Sequence, residues 1–517
     1  MSDGSNDEDF DFQDVAVHLP RIIDHDDKYD DDLDSLDEEN DEGVEDEPES
    51  DYEIGGYHPV NLGDVFNSRY FVLRKLGWGH FATVWLAYDS TQTSFVAIKI
   101  PKSRSDFAEA AKDEMDILTQ LREGDSNHVG YHNIVHVLNQ FDFIGVSRSF
   151  HLCMVFEVLG DNLLFLIRRF GALDVNFCRV ISRQMLQGLS YMHDACSIIH
   201  TDIKPENVVI CLTAGQLNNI AIEAFKMRNN PDMPQAMKST APDTYRQKYL
   251  QGLDAKQRKK MRKQRKKHRD RVEAFLNKLE EQMMGFHANG TNGHEKPEEN
   301  GNSINGVNFD PYDNVGFFLD ELQAGNMHAL KEVRVKIVDF GNACRTDHHF
   351  TEEIQTREYR CPEAILGSEY DTSSDIWSTG CLIFELVTGE YLFYPMASSY
   401  DGFDIDDDHM AKMIEFLGPI PGKLFRDGRR YRDIFDRNGK LLRIKKLEPK
   451  SIVQLLMEIG NLPGTEAKAM SDFLMPMFAY DIHKRATAKE CLESKWLELT
   501  DTNESKRRRM SNSPEKH

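Results

Sequence analysis

The chain has 517 residues, of which 40% are hydrophobic and 29% are charged, and its formal net charge is −25. A chain of this length can bury more than one hydrophobic core. No stretch approaches the roughly 18 apolar residues of a membrane-spanning helix, and the 8 cysteines form no C-x-x-C pair. We therefore expect no membrane segment, no structural zinc site, and an intracellular protein of a reducing compartment.

Most of the negative charge lies at the N-terminus. Residues 1–50 contain 22 Asp or Glu against only Arg21 and Lys28, a local balance of −20 that leaves −5 for the rest of the chain. A segment with so much charge of one sign cannot collapse onto a core. The sequence therefore predicts an acidic disordered tail over 1–54.

Order is predicted to begin near "GGYHPV", residues 55–60. Apolar and polar residues alternate in "YFVLRKLGWGHFATVWLAYD", which begins at Tyr70, in "SFVAIKI" and in "FHLCMVFEVL", and this alternation predicts strands. Residues 106–122 have a helical period, and from Asn176 onward the pattern is mostly helical. We therefore expect an α+β protein in which a small strand-rich part precedes a larger helical part.

A glycine-containing turn joins the first two predicted strands in "LGWGHFATV". Without side chains at Gly77 and Gly79, backbone N–H groups could approach phosphate oxygens. The turn alone is weak evidence, because hairpins need glycine for steric reasons. Ala82 is a third small residue in this segment, and we expect Val84 to pack on a base.

Lys99 ends "VAIK" on the next strand, among apolar neighbours that would make an unpaired ammonium group costly. Glu114 of the following helix is the expected partner. In this pair, Lys99 would be positioned against the α and β phosphates of a nucleotide.

Two short segments carry the remaining charged groups. In "HTDIKPEN", residues 200–207, Asp202 would accept or orient the proton of an incoming hydroxyl, Lys204 would offset phosphoryl charge, and Asn207 would hold Mg²⁺. In "VDFGNA", Asp339 would bridge the metal to the nucleotide phosphates. A "CPE" at 361–363 closes the segment that follows. The combination indicates phosphoryl transfer.

A compositional break separates these two segments. Residues 256–271 contain 11 Lys or Arg among 16 residues, and the Asn- and Gly-rich "NGTNGHEKPEENGNSINGVN" follows. The basic run could bind nucleic acid, act as a nuclear import signal, or form a solvated helix. The segment "SKRRRMSNSPEKH" at the C-terminus could be an import signal or a plain tail.

In this order and spacing, the motifs resemble those of the eukaryotic protein kinases, and the chain closely resembles the SR-protein kinases, which phosphorylate serines in arginine-serine repeats of splicing factors. The resemblance covers roughly 55–212 and 332–497 and rests on "GGYHPV", "RYFVLRKLGWGHFATVWLA", "FEVLGDNLL", "HTDIKPEN", "DFGNAC", "FTEEIQTREYR", "SSDIWSTGC" and "ATAKECLESKWL". The family commonly has "DLG" and "SLE" or "SPE" where this chain has "DFG" and "CPE". Neither change removes a charge.

The resemblance implies a bilobal kinase fold, with a small β-rich N-lobe, a large α-helical C-lobe and a long disordered insertion. The implied segments are an acidic tail (1–54), the N-lobe and hinge (55–160), a first part of the C-lobe (161–213), a low-complexity insertion (214–330), a second part of the C-lobe (331–499) and a basic tail (500–517).

The resemblance also assigns ATP as the nucleotide, with Phe156 as the gatekeeper beside the adenine and Glu157 to Leu159 as the hinge. The full set of implied ATP-binding residues is Leu76, Gly77, Gly79, Ala82, Val84, Ala97, Lys99, Phe156, Glu157 and Leu159. Asp375 would brace the catalytic loop, and Arg485 would pair with Glu363.

Substrate docking is predicted in the acidic stretch 389–418, because carboxylates can accept the planar guanidinium group of arginine bidentately. Glu390, Asp408 and Glu415 match positions that resemble the family's docking groove. Asp408 and Glu415 are seven residues apart and would share one face of a helix. An acidic loop that is merely solvated remains the alternative.

Thr201 stands where many kinases have an arginine that pairs with a phosphate on the activation segment. A threonine cannot form that charge-assisted pair. We therefore expect activity without activation-segment phosphorylation, although Thr346, Thr351, Thr356 and Tyr359 are available as acceptors.

Three alternative classes share some of these features. A LAMMER-type kinase shares "HTD", but its eponymous motif is absent near "DDHMAKMIEFLG". A pseudokinase scaffold would lack Lys99, Asp202, Asn207 or Asp339, and an RNA-binding scaffold is disfavoured because the basic run lies within an insertion. We expect a monomer of the cytoplasm and nucleus that acts on arginine-serine-rich proteins, with chaperone or import-factor binding through the insertion and no direct nucleic-acid binding.

Overall fold

The structure is a computed structural model, and it describes residues 49–52, 55–79, 81–145, 150–228, 255–289, 314–421 and 423–500. The chain divides into two compact units. Unit 1 comprises Met1–Asp113, Val137–Val158 and Thr213–Asp310, and unit 2 comprises Glu114–His136, Leu159–Leu212 and Pro311–His517. Nearly all of the predicted acidic tail and all of the basic tail after Thr500 lie outside the described residues.

Unit 1 is built on one antiparallel sheet of six strands. Their order across the sheet is β1 (Val65–Phe66), β2 (Tyr70–Gly79), β3 (Ala82–Asp89), β4 (Ser94–Pro101), β6 (Phe150–Phe156) and β5 (Val137–Ile144). Directly opposed residues share a face of the sheet. Trp85, Ile98 and Val155 are opposed in this way and belong to the buried core. The strands predicted at β2, β3, β4 and β6 are confirmed, and β1 and β5 were not predicted.

In chain order, the helices are α1 (Ser105–Glu123), α2 (Leu163–Phe170), α3 (Val175–Ser190), α4 (Ala214–Arg228), α5 (Ala255–Asn289), α6 (Val315–Gln323), α7 (Met327–Glu332), α8 (Pro362–Leu366), α9 (Ser373–Thr388), α10 (Ile405–Leu417), α11 (Tyr431–Ile434), α12 (Ile452–Glu458), α13 (Gly464–Leu474) and α14 (Ala488–Leu492). Helix α1 matches the predicted 106–122, and most of the other helices follow Asn176 as predicted, whereas α4 and α5 lie in the predicted insertion.

Helices α4 and α5 lie in the predicted insertion but pack within unit 1. The Phe275 ring of α5 stacks on Phe71 of β2 with 4.3 Å between ring centroids. Arg228 at the end of α4 donates a hydrogen bond to Asn277 at 2.6 Å and pairs with Glu280 at 3.2 Å. The prediction that all of 214–330 is low-complexity insertion is therefore too broad, because α4 and the second half of α5 carry apolar side chains that can be buried.

Unit 2 is mainly helical and contains two small sheets. One sheet has the order β10 (Val335–Ile337), β9 (Val208–Cys211) and β7 (Leu159–Asn162), and the other pairs β11 (Cys344–Arg345) with β8 (Ile198–Ile199). Helix α9 is buried along its whole length, including its polar residues Asp375 and Glu385. In the described part of the chain, no helix combines the length and apolarity needed to cross a bilayer.

A buried ion pair connects two distant parts of unit 2. The Arg485 guanidinium donates to both carboxylate oxygens of Glu363, at 2.5 and 2.9 Å, and the two side chains are 0% and 1% exposed. Arg485 also donates to the carbonyls of Ala479 and Ser373. This pair was predicted and is confirmed.

Candidate active site

The segment "HTDIKPEN" forms a loop between β8 and β9, and Asp375 fixes its backbone. The Asp375 carboxylate is fully buried and accepts hydrogen bonds from the backbone N–H of His200 at 2.8 Å and of Thr201 at 2.9 Å. His193 Nε2 lies 2.8 Å from the same carboxylate. Asp375 sits in the first turn of the buried helix α9, so the loop is held by the core of unit 2. The predicted bracing role is confirmed.

Asp202 lies in this loop with its carboxylate held on both sides. The Thr356 hydroxyl donates to Asp202 Oδ1 at 2.8 Å, and Lys204 Nζ lies 2.8 Å from Oδ2. Lys204 Nζ also donates to the Thr356 hydroxyl at 3.0 Å. Asp202 is 8% exposed, so these contacts form in a largely desolvated place. The three side chains are therefore pre-oriented around one position where a hydroxyl could be deprotonated.

The sequence did not identify Thr356 as a contact of the catalytic loop. From the sequence, Thr356 is only one hydroxyl among several available for phosphorylation, because nothing local distinguishes it from Thr346 or Thr351. The contact joins residues 154 positions apart, so it depends on the folded path of the chain. Phosphorylation or alanine substitution at Thr356 would disturb Asp202 directly.

The two predicted metal-binding residues lie at the ends of paired strands. Val208 of β9 is paired with Ile337 of β10, and the backbone N–H of Val338 donates to the Asn207 carbonyl at 2.9 Å. The Asn207 amide nitrogen donates to the Asp202 carbonyl at 2.9 Å, which leaves its Oδ1 as the side-chain atom suited to a cation. Asp339 follows β10 in a left-handed conformation, with φ of 64°. This oxygen set fits a hard divalent ion.

Glu114 is nine-tenths buried on α1, within unit 2. A Cβ added at Gly341 would lie 3.9 Å from Glu114 Oε2 and 3.5 Å from Asp339 Oδ1. Both carboxylates therefore lie close to the backbone of the "DFG" turn. The ion pair of Glu114 with Lys99 stays a prediction.

Unit 1 presents the predicted nucleotide-binding residues on one face of its sheet. Val84 is opposed to Lys99, and Ala97 is opposed to Phe156, so these four side chains lie on the face opposite the Trp85 core. Lys99 is flanked along its strand by two fully buried isoleucines. These four side chains thus form an apolar surface that carries one ammonium group.

The glycine turn has open space where side chains would be. A Cβ added at Gly77 or Gly79 would meet no atom within 4 Å. Gly77 is opposed to Val84 and Gly79 to Ala82, while Leu76 beside them is 39% exposed. The Gly79 carbonyl accepts a hydrogen bond from the Tyr57 hydroxyl at 2.6 Å. The backbone here is supported from one side and accessible to a ligand from another, as a phosphate site requires.

The predicted hinge coincides with the point where the chain passes from unit 1 to unit 2. Glu157 lies in unit 1, and Leu159 begins β7 in unit 2, where it is paired with Cys211. The roles of Glu157, Leu159 and Phe156 in binding adenine stay predictions.

Thr201 connects the catalytic loop to both ends of the segment that follows "DFG". Its hydroxyl donates to the Asn342 carbonyl at 2.8 Å, and its own carbonyl accepts from the Gln355 N–H at 2.9 Å. Thr201 adopts a left-handed conformation, with φ of 66°, which presents these groups. A neutral side chain thus makes the connection that a phosphate and an arginine make in many kinases.

Gln355 extends this connection into the core of unit 2. Its side chain is buried, and its Nε2 donates to the Ser374 carbonyl and the Ser378 hydroxyl, both at 2.8 Å. Its Oε1 accepts from the Cys361 N–H at 2.9 Å. The segment is therefore ordered by hydrogen bonds between uncharged groups before any modification.

Several carboxylates gather beside the catalytic loop. Glu385 is 3% exposed and accepts a hydrogen bond from the Tyr359 hydroxyl at 2.6 Å. Burial, together with the nearby negative charges of Glu206, Glu358 and Glu390, raises the pKa of Glu385 from 4.5 to about 7. Glu206 Oε2 is buried and has no hydrogen-bond partner among the residues that the structure describes. A cation bound here would offset the negative charge of these carboxylates and supply a partner for Glu206 Oε2.

The pKa of Glu385 predicts a pH-dependent stability. The folded protein holds this proton more tightly than the unfolded chain does, so its contribution is full below about pH 4.5 and is lost as pH rises through about 7. Relative to Glu385→Gln, the wild type should lose about 3 kcal/mol of unfolding free energy between pH 4.5 and 8. Urea unfolding followed by tryptophan fluorescence measures the difference, and a difference that does not change with pH would contradict the assignment.

The predicted docking carboxylates already have partners within the chain. Asp408 accepts from the Met396 N–H at 2.8 Å and pairs with Lys412 at 3.0 Å, while Glu415 Oε1 accepts from the Glu448 N–H at 2.8 Å. Asp408 and Glu415 both lie on α10, as the spacing predicted. Glu390 is exposed. The docking role of all three stays a prediction.

The neighbouring aspartates of α10 show that this region accommodates guanidinium groups. Asp407 accepts from Arg443 through both carboxylate oxygens at 2.9 Å, and Asp406 pairs with Arg357 and Arg430. These carboxylates are occupied by the protein's own arginines.

Comparison with known families identifies the class. The protein kinase domain family matches residues 70–226 and 318–497, so the two matched segments flank residues 227–317 and extend into both ends of the predicted insertion. Because this match covers more than half of the chain, the chain is a protein kinase.

Within that class, the chain belongs to the SR-protein kinase family of serine/threonine kinases. The serine/threonine-protein kinase spk-1 of Caenorhabditis elegans is 38% identical over 531 residues, which cover 92% of this chain and 53% of that protein. SRSF protein kinase 3 of Homo sapiens is 36% identical over 519 residues, which cover 88% of this chain and 90% of that protein. Protein kinase dsk1 of Schizosaccharomyces pombe is 38% identical over 464 residues, which cover 86% of this chain and 84% of that protein.

The chain thus spans about half the length of the nematode relative and most of the length of the other two. Membership of the family implies ATP and a divalent metal as cofactors. These relatives give no support to the LAMMER or pseudokinase alternatives.

Proposed function

We propose that this kinase phosphorylates serines next to arginines in arginine-serine-rich proteins, with Mg²⁺ as the divalent metal, and that it is active without phosphorylation of its activation segment. The observation that carries the substrate class is the carboxylate cluster of Glu206, Glu358, Glu385 and Glu390. It lies beside the catalytic loop, and its negative charges add to the effect of burial in raising the pKa of Glu385 to about 7.

A guanidinium group is the cation that suits this cluster best. Its fixed fork of N–H donors can satisfy two carboxylates at once, whereas a lysine ammonium is a compact and more strongly hydrated charge. Glu206 follows Lys204 by two residues, so an arginine bound there would be held close to the serine that Asp202 deprotonates. The docking residues Glu390, Asp408 and Glu415 would then guide more distant arginines.

The catalytic steps follow from the positions of the unit 2 side chains. Asp202 would accept the proton of the serine hydroxyl, and Lys204 would offset negative charge on the transferring phosphoryl group. Asn207 Oδ1 and Asp339 would hold Mg²⁺, which neutralises phosphate charge when bound. The open glycine turn and Lys99 would bind the ATP phosphates.

Activity without phosphorylation is supported by the hydrogen bonds of Thr201 and Gln355. They fix residues 342 and 355 of the segment to the catalytic loop without using a phosphate. The location in cytoplasm and nucleus, the monomeric state and the binding of chaperones or import factors through the insertion rest on sequence alone and stay predictions.

The substrate proposal is tested by comparing an arginine-serine repeat peptide with a lysine-serine one. The wild type should prefer arginine by about 10- to 100-fold in kcat/KM, because charge-assisted hydrogen bonds contribute about 1.5–3 kcal/mol each. Glu206→Gln should reduce that preference mainly by lowering kcat/KM for the arginine peptide. Glu332→Gln, at an exposed position on α7, is the matched control.

Equal rates on the two peptides by the wild type would overturn the guanidinium-selective site while leaving kinase activity intact. If Glu206→Gln slowed both peptides equally, the residue would instead act by supporting the catalytic loop.

A further inference from the structure

The first half of α5 is a strongly basic surface that the kinase site does not use. Among the side chains that the structure describes in residues 256–271, every lysine and arginine is exposed: Lys256, Lys259, Lys260, Lys263, Lys266, Lys267, Arg269 and Arg271. We call this surface the basic face. The segment carries 11 Lys or Arg and one Asp, so its net charge is about ten positive.

The basic face continues a helix that packs on unit 1, and its charges are not neutralised by the residues that the structure describes. The second half of α5 packs through the buried Val272, Leu276 and Leu279, and the first half continues the same helix. No ion pair joins any of the eight exposed cations to a carboxylate within the described part of the chain. Lys259, Lys263 and Lys267 repeat at four-residue spacing, which places like charges next to one another and destabilises a helix. An anionic partner would remove this repulsion.

We propose that the chain's own acidic segment, residues 1–48, docks on the basic face. This segment contains 21 Asp or Glu against Arg21 and Lys28, a charge of −19 that complements the basic face. Its covalent attachment makes the encounter intramolecular, with an effective concentration of about a millimolar. The basic face contains no Phe, Tyr or Trp, which single-stranded nucleic acids use for stacking, so the sequence gives a nucleic acid no corresponding advantage.

The acidic segment is attached to the same unit as the basic face. Asp51, just after the segment, pairs with Lys102 at 2.7 Å, and Lys102 follows the end of β4. Phe275 of α5 contacts Phe71 and Tyr88, and Tyr88 is opposed to Phe95 near the start of β4. The anchor point and the packed part of α5 are therefore separated by about six strand residues, or about 20 Å.

The tether is long enough for this contact. From Phe275 back to Lys256 the helix extends about 28 Å at 1.5 Å per residue. Even the far end of the basic face thus lies within about 50 Å of the anchor, whereas 48 residues can span up to about 160 Å. The acidic segment can reach the whole basic face.

Zero-length carbodiimide coupling of the full chain tests the proposal in the unaltered protein. At low protein concentration, mass spectrometry should find links between carboxylates of 1–48 and lysines of 256–271 in monomeric material. These links should disappear at about 0.5 M salt, where the Debye length falls to a few ångströms. Absence of such links at low salt, or their persistence at high salt, would overturn the proposal.

Binding in trans provides a second measurement. A labelled peptide of residues 1–48 should bind the chain that lacks them, and Lys259→Glu, Lys263→Glu, Lys266→Glu and Lys267→Glu together should weaken that binding by about tenfold or more. The matched control changes four exposed lysines of unit 2 to glutamate: Lys331, Lys440, Lys489 and Lys495. Equal effects of the two variants would contradict a specific basic face. Circular dichroism and kinase activity report whether each variant is folded.

A nucleic acid is the competing occupant. A labelled single-stranded RNA should bind the chain lacking 1–48 about tenfold more tightly than the full chain, because the acidic segment covers the same lysines. Equal RNA affinity of the two chains would show that the basic face is not covered, and would overturn the proposal.

Discussion

Replacement of Asp202 by asparagine is expected to lower kcat by about two to four orders of magnitude, the usual contribution of a positioned general base. Asparagine has the same shape and can still accept from the Thr356 hydroxyl, but it cannot take the proton of the substrate. The Michaelis constant for ATP should change little, because the hydroxyl and not the nucleotide contacts this group. Phosphate transfer to an arginine-serine peptide, followed over a range of ATP concentrations, measures both quantities.

The control for this prediction is Asp472→Asn, which changes an exposed carboxylate on α13 that pairs only with Lys468 among the residues described. It should leave kcat unchanged. If Asp202→Asn retained kcat within about tenfold of the wild type, the carboxylate would not be the proton acceptor, and its contacts with Lys204 and Thr356 would have only a structural role.

Replacement of Arg485 by alanine is expected to lower the free energy of unfolding by about 3–5 kcal/mol. The substitution leaves the Glu363 carboxylate buried without its partner and removes the donors to the Ala479 and Ser373 carbonyls. Urea unfolding followed by tryptophan fluorescence is a suitable measurement, because the guanidinium carbon of Arg485 lies 5.2 Å from the centroid of the Trp377 ring.

A double variant separates the unpaired charge from the lost packing. Arg485→Met combined with Glu363→Gln removes both charges at similar volume, and it should be less destabilised than Arg485→Ala, because no buried charge is left without a partner. A cost below about 1 kcal/mol for Arg485→Ala would contradict the account of this pair.

The elements that the sequence predicted are those whose side chains follow a simple period. Strands β2, β3 and β4 were predicted from an alternation of apolar and polar residues, although their central residues are buried on both faces of the sheet, as Trp85 and Leu86 show. The same alternation is present in β5, where Val137, Phe141 and Phe143 are buried and Leu138 is exposed, so this strand could have been predicted too. Helix α5 was harder to interpret, because its basic first half obscures the apolar stripe of Val272, Leu276 and Leu279.

The site was predictable where chemistry requires particular residues at short spacing. Asp202, Lys204 and Asn207 lie within six residues, and the loop between β8 and β9 brings them together. Contacts between distant segments could not be predicted in this way. Gln355 and Thr356 reach the catalytic loop only through the folded path of the chain, and no local pattern distinguishes them.

Two of the four candidate phosphate acceptors in the activation segment also contact carboxylates of the site. Substitution at all four candidate acceptors would confuse two effects, because Thr356 donates to Asp202 and Tyr359 donates to Glu385. Thr346 and Thr351 are exposed and lie away from those contacts, so they are the appropriate positions to change.

The most direct measurement of the central claim is the kcat of the full chain that has been treated with phosphatase and shown by mass spectrometry to carry no phosphate. We expect this material, and the Thr346→Ala/Thr351→Ala variant prepared in the same way, to phosphorylate an arginine-serine peptide within about twofold of untreated protein, because neutral hydrogen bonds already order the segment. Well-folded material that gained activity only after phosphate was restored to the segment would contradict the account.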